Sequence, residues 1–228
     1  MKTSGIVLIS LLSISILLFS CNDIDKNQIE IFTFSNNGIE TKGKIYLPAA
    51  YNTNKVLPTI YLIDFTEQHF KLATDEFEKV IDGVEQIGLD ALVVSLANIP
   101  DIDAKPESYQ DHYQIYKNMA TYVDKNYSNN SSRTFIGKGS EASVVLMTLF
   151  LEDKGTSLFE SFIATDPSPS YADAVFKVIE KNDFPQDKSN KKLHFSFTKT
   201  NDRNKCIKFI NLINEAQYPW LQFQSKEY

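Results

Sequence analysis

The chain is predicted to fold as an α/β domain, with a mostly parallel central sheet covered by helices on both faces. Three observations predict it. Apolar runs of strand length alternate with segments whose apolar residues recur at helical spacing, the pattern of successive βαβ units. Within that alternation, R-T-F-I-G-K-G-S-E-A-S at 133–143 reads as a short buried strand, a tight glycine turn and the start of an apolar helix reaching Leu151. At 228 residues, 43% hydrophobic and 23% charged, the chain has the size and balance of one globular domain with a large core.

The first 20 residues read as a leader. Lys2 precedes an apolar run over 5–19 that is too short and wrongly flanked for a stable membrane span. The run closes on L-F-S-C at 18–21, which is similar to a bacterial lipobox. Cleavage before Cys21 would expose its thiol for diacylglycerol and its amine for a further acyl chain. The expected product is a membrane-anchored lipoprotein of the bacterial cell envelope, with leaflet and surface exposure left open. The alternative is an ordinary secretory leader whose cysteine is coincidental. Residues 21–28 then form the lipidated cysteine and a polar tether, and 29–228 the folded domain. The formal charge of −6 and the lack of a dense Lys/Arg run argue against a nucleic-acid partner. Cys206 is the only other cysteine, so lipidation of Cys21 leaves no pair for a disulfide. Its setting, K-C-I-K-F-I at 205–210, suits a buried thiol on a helix face.

The elements follow in order. Residues 29–34 alternate as a strand, N-N-G at 36–38 turns the chain, and 39–47 returns, so a hairpin opens the sheet. A polar loop at 51–55 leads to V-L-P-T-I-Y-L-I-D at 56–64, a continuous apolar run suited to a strand covered on both faces. Residues 77–87 have helical spacing and Gly88 as a stop; 91–96 is the next buried strand. An acidic loop at 100–106 precedes a long amphipathic helix at 109–127, with Tyr113, Tyr116, Ala120 and Val123 on one side. After the glycine turn come the helix at 144–151, a strand entering a loop from Leu158, a helix at 171–182, a strand at 193–198, a helix at 201–216 and a last strand at 220–224.

Several pieces carry a family resemblance. They are Y-L-P at 46–48 followed by Tyr51; L-P-x-x-Y-L-x-D at 57–64; Q-H-F at 68–70; Y-V-D-K-N-Y at 122–127 leading to Arg133 and Gly137; and L-F-E-S-F-I-A-T-D-P-S from Leu158. Together they resemble the esterase-D-like group of the α/β-hydrolase superfamily, from about residue 39 to the C-terminus. In that group the central segment usually reads R-x-x-x-x-G-H-S-x-G-G, a form of the nucleophile elbow in which the reactive serine sits between strand and helix. Aligned on Arg133 and Gly137, Lys138 stands at the histidine and Gly139 at the nucleophile, with Ser140 and Glu141 in the two small positions that follow. The resemblance implies an α/β-hydrolase-like fold and a serine esterase whose serine is missing.

Acyl transfer on such a scaffold needs a nucleophile, a base histidine, an orienting acid and two oxyanion donors. Gly139 has no side chain to attack with, though it tolerates an elbow's backbone. A register shifted by one makes Ser140 the nucleophile, but Lys138 is then too large for the strand–helix crossing; Ser140 is better read as the helix N-cap. The group's base lies beyond the last strand, where this sequence has only Tyr228. His69, in the loop after Asp64, is the remaining candidate, since such sheets open their sites on that side. His112 precedes the elbow on a helix, and His194 lies inside a strand. Asp202 follows the 193–198 strand at the acid position and can equally cap the next helix. The oxyanion amides would be those of Ser140 and of Phe65, which replaces the group's glycine after the aspartate. The R-D-x-T-P-like motif that active relatives often carry is absent near 100–106. Gly137-Lys138 is not a phosphate loop, because Ser132 stands where a glycine is required and Gly139 where Ser or Thr is. No spacing suits a metal, and no cofactor is expected.

Two classes of function compete at this level. One is a degenerate, non-catalytic lipoprotein that binds a ligand, such as a small acyl or aryl ester, or a protein partner in the old cleft. The other is an active carboxylic-ester hydrolase of acyl or feruloyl type with a displaced triad of Ser140, Asp202 and His69.

Overall fold

The computed structural model describes residues 27–36, 38–63, 75–96, 106–152, 157–167, 169–181, 189–199 and 202–228. The expectations for Cys21, Asp64, Phe65 and His69 fall outside these residues. Among the described residues, eight strands form one sheet: β1 (Gln28–Asn36), β2 (Ile39–Leu47), β3 (Thr59–Leu62), β4 (Leu92–Leu96), β5 (Arg133–Lys138), β6 (Ser161–Thr165), β7 (Lys191–Phe197) and β8 (Leu221–Glu227). Their order is β1-β2-β4-β3-β5-β6-β7-β8. The β1–β2 hairpin is antiparallel and joins β4 antiparallel, while every other pairing is parallel.

Among the described residues, five α-helices connect the strands: α1 (Asp75–Gln86), α2 (Pro106–Asn126), α3 (Ser140–Leu151), α4 (Pro169–Lys181) and α5 (Arg203–Ala216). Strand alternation divides the core between the two sheet faces. Helices α2 to α5 pack on one face, where Tyr116, Ala120, Val145, Phe150, Val175 and Phe209 share a cluster with Tyr61, Phe135 and Phe195 of the strands. Helix α1 packs on the other, where Phe77, Ile81 and Val84 meet Tyr46, Ile60, Leu62 and Val93. Helix α3 is buried almost all round, from Ala142 to Phe150, which explains its unbroken apolar sequence. No helix among the described residues is long and apolar enough to cross a membrane.

Most element boundaries shift by one to three residues from the sequence reading, with β8 running on to Glu227, and two of the shifts have a clear cause. The strand expected at 56–64 is only Thr59–Leu62. Val56 is exposed, and the Leu57 N–H donates to the Ser128 hydroxyl at 3.0 Å, so the segment before Pro58 is tied to a loop rather than to a neighbouring strand. Helix α2 begins at Pro106, three residues earlier than its apolar stripe; proline suits a first helical turn, where its missing N–H goes unused.

The motifs behind the family resemblance have structural causes. The Tyr51 hydroxyl donates to the Tyr127 carbonyl at 3.0 Å, tying the loop after β2 to the end of α2. Phe32 stacks on Tyr122, with ring centroids 5.1 Å apart, and also touches Tyr127. Arg133 pairs with Asp124 of α2 at 2.6 Å from the base of β5, and that partner holds its guanidinium above the usual range against the effect of burial. These contacts fix how α2 enters the central strand.

Candidate functional site

The site is built at the carboxyl ends of β3, β5 and β6, where parallel strands deliver their loops. β5 ends in Gly137-Lys138, the chain turns at Gly139, and α3 starts at Ser140. Gly139 has φ 65° and ψ −124°, a conformation that side chains rarely adopt. Its N–H donates to the Thr165 carbonyl at 2.9 Å, so β6 pins the turn. Two residues earlier, a Cβ on Gly137 would lie 2.6 Å from the Glu141 backbone, closer than atoms can approach. Strand and helix therefore cross at Gly137, and the sharp turn lies at Gly139. This geometry puts Gly139, not Ser140, at the elbow tip.

Ser140 is the first residue of α3, and Gly139 takes the N-cap position without any side-chain cap bond. The expected serine cap is thus corrected by one residue: the left-handed turn closes on the glycine, so helical geometry starts at the serine. The Ser140 N–H lies in the first turn of α3, where amides lack intrahelical partners.

Glu141, a misfit in the sequence alignment, has a clear place. Its carboxylate Oε2 lies 3.6 Å from where a Gly139 side chain would begin. That is ordinary contact distance, so the acidic side chain lies beside the elbow tip, next to where a nucleophile would stand. An open cleft of about 570 Å³ surrounds this point, with Leu62, Val80 and Ile136 as its apolar wall and Glu76, Lys138, Glu141 and Asp166 as its charged groups. Lys138 lies 3.9 Å from Glu76 and is largely exposed, so it sits at the rim.

Asp202 is brought elsewhere. It is the N-cap of α5, with its Oδ1 accepting from the Lys205 N–H at 3.3 Å. It borders a separate small apolar cavity lined by Leu146, Val175, Phe195, Cys206 and Phe209. Neither Ser140 nor Asp202 lines the elbow cleft. Cys206 is a buried free thiol, as its helix position predicts, and burial pushes it up to about 11. His112 is buried on α2, which lowers its imidazole below the ordinary value, and His194 is half-buried in β7. Neither imidazole lines the cleft. Among the described residues no cluster of His, Cys, Asp or Glu is placed to hold a metal ion.

Glu76 and Asp166 were not singled out from sequence. A signal existed for the second, since Asp166 belongs to the L-F-E-S-F-I-A-T-D-P-S segment that carries part of the family resemblance. It adopts φ 49° and accepts the Thr198 N–H at 2.6 Å, bracing the loops after β6 and β7 at the cleft edge.

No family model matches this chain, and no curated protein matches it in sequence. Solved structures do. An IroE-like serine hydrolase from Shewanella oneidensis superposes with a TM-score of 0.66 at 17% identity, over 88% of this chain and 73% of that one. A ferulic acid esterase gives 0.61 at 12% identity, over 90% and 91%. A Pyrobaculum calidifontis esterase gives 0.61 at 15% identity, over 88% and 75%. The strand order and these neighbours define an α/β-hydrolase-like fold.

Proposed function

We propose that this protein is a cell-envelope lipoprotein, anchored through Cys21, whose esterase-like domain binds a ligand or partner without turning it over. The observation that carries the reading is Gly139 at the elbow tip with the Glu141 carboxylate beside it. An elbow without a side chain has nothing to acylate. A carboxylate in that space also repels the oxyanion that ester hydrolysis must build there. Fold and pocket do not depend on the triad, so the cleft can still hold a small acyl or aryl ligand.

The test is hydrolysis of p-nitrophenyl and feruloyl esters by the wild type and by Ser140→Ala, with fluorophosphonate labelling as a second readout. Equal background rates and no labelling are expected in both, because Ser140 lies at the start of α3 and outside the cleft lining. Robust hydrolysis and labelling in the wild type, both lost in Ser140→Ala, would establish the displaced triad instead.

The anchor is tested separately. Cys21→Ala is expected to move the protein from the membrane fraction to the soluble fraction. A wild type already soluble and without lipid mass would remove the membrane from this proposal.

A further inference from the structure

Strand register defines one end of the sheet. Gln28 stands opposite Leu47, Tyr46 opposite Val93, and Thr59 beside Leu92. The start of β1, the end of β2 and the starts of β4 and β3 therefore lie together, at the end away from the elbow cleft. Among the described residues the large exposed apolar side chains gather here. Ile29, Val56, Ile87 and Leu89 all lie at this end, and Ile31 follows two residues along β1 on the same side as Ile29. Tyr228 is the one at the opposite end. At about 4.8 Å between neighbours, the four strand ends span about 14 Å. Before β5, N-N-S-S at 129–132 is polar, so the patch stops at β3.

Ile87 and Leu89 form its tip, with exposures of 73% and 43%. They flank Gly88, whose φ of 66° closes α1. The Gly88 N–H donates to the Glu85 carbonyl at 3.0 Å, and the Leu89 N–H to the Val84 carbonyl at 2.8 Å. This is the double bond of a Schellman turn. The Val56 N–H is also used, donating to the Asn54 Oδ1 at 2.9 Å. These tips can therefore meet a boundary of low polarity without stranding a backbone donor. Asn27 ties the chain to the same end. Its Nδ2 donates to the Glu85 Oε1 at 2.6 Å, and its Oδ1 accepts the Ala49 N–H at 2.9 Å. Asn27 is six residues from Cys21. An extended chain covers about 3.3–3.6 Å per residue, so Asn27 stays within roughly 20 Å of that cysteine.

We propose that this end of the domain rests on the leaflet that holds the anchor, with Ile29, Val56, Ile87 and Leu89 among the lipid headgroups and the elbow cleft turned to water. The inference rests on the Cys21 anchor. The lipid brings the patch to the surface, and the patch sets which way the domain faces. The contact is shallow. Glu85, held by Asn27 and the Tyr46 hydroxyl, and the exposed Asp90 border the tip, and charges resist burial. The same acids oppose a second copy as the occupant, since two such patches would bring like charges together. The six residues of β5, at about 3.3 Å each, put the cleft about 20 Å further out. A ligand of the cleft then arrives from water and not from the bilayer.

The experiment uses the full-length lipoprotein in phosphatidylcholine vesicles. An environment-sensitive maleimide fluorophore is placed on single added cysteines and quenched by lipids brominated on their acyl chains. The wild type controls the labelling: a lipidated Cys21 has no free thiol and Cys206 is buried, so it takes up no label. Labels at Val56→Cys, Ile87→Cys and Leu89→Cys should be quenched about twofold, as for groups roughly 5–10 Å into the headgroup boundary. The label at Tyr228→Cys should stay bright. Adding Ile87→Asp/Leu89→Asp to the Val56→Cys chain should reduce its quenching to the Tyr228→Cys level, with lipid mass on Cys21 and thermal melt unchanged. Equal quenching at both ends, or none at any position of a chain carrying that lipid mass, would overturn the orientation and leave the anchor standing. A wild type without the lipid mass removes both. Shielding of the Ile87→Cys label that grows with the protein-to-lipid ratio, without quenching, would assign the patch to a second copy and also overturn the proposal.

Discussion

Lys191→Met is expected to lower the unfolding free energy by about 3–5 kcal/mol, the scale for removing one member of a buried ion pair. Lys191 and Glu152 have side-chain exposures of 1% and 0%. Glu152 ends α3, and its Oε1 accepts the N–H groups of Leu158 at 2.8 Å and Phe159 at 3.1 Å. Its Oε2 accepts from the Lys191 Nζ, which also donates to the Ser157 hydroxyl and the Phe159 carbonyl. All three ammonium donors are thus used. The cluster ties the end of α3, the approach to β6 and the start of β7 into one joint. Removing the lysine strands a buried carboxylate among apolar groups, a large fraction of a domain's usual net stability of about 5–15 kcal/mol. The double variant Lys191→Met/Glu152→Gln should recover most of the loss, since glutamine keeps an acceptor for the two amides and leaves no unpaired charge. Urea denaturation measures both. A single variant costing under about 1 kcal/mol would show that water reaches the pair and that the joint is not closed.

That joint was not legible in the sequence, because Glu152 and Lys191 are 39 positions apart and each looks like an ordinary surface charge. Local features were legible. The strand–glycine–helix signal at 133–151 gave β5 and α3 with their register, because close crossing and a sharp turn each demand a glycine at a fixed offset. The spacing of Tyr51, Tyr127 and Arg133 carried real contacts between the hairpin, α2 and β5. Features that depend on neighbours stayed hidden. L-H-F-S at 193–196 reads as a strand in isolation; that Leu193 and Phe195 join the core shared with α2 to α5, while Ser196 is also buried and His194 half-buried, follows only from the assembled sheet. Glu141 stands at a position where the resembled group has a small residue. The observed crossing presses on its backbone, and its carboxylate lies beside Gly139 at ordinary contact distance from a Cβ there.

Gly137→Val is expected to cost about 3 kcal/mol, the upper part of the usual range for overpacking. The reason is the identity of the atoms it would strike. A Cβ at Gly137 would lie 2.6 Å from the carbonyl carbon and oxygen of Glu141 and 2.9 Å from the Ala142 nitrogen. These are backbone atoms in the first turn of α3, so no rotamer change can clear them. The helix itself must lift from β5, and Ala142, Val145 and Leu146 leave the core with it. Gly83 in α1 supplies the contrast. A Cβ there meets nothing within 4 Å, so Gly83→Ala should stabilise by about 0.5–1 kcal/mol through helix propensity. Thermal melts of the two variants against the wild type measure the difference. If Gly137→Val melts with the wild type, α3 does not cross β5 at Gly137. The elbow would then have to be placed elsewhere in the segment, and Gly139 would lose its claim to the nucleophile position.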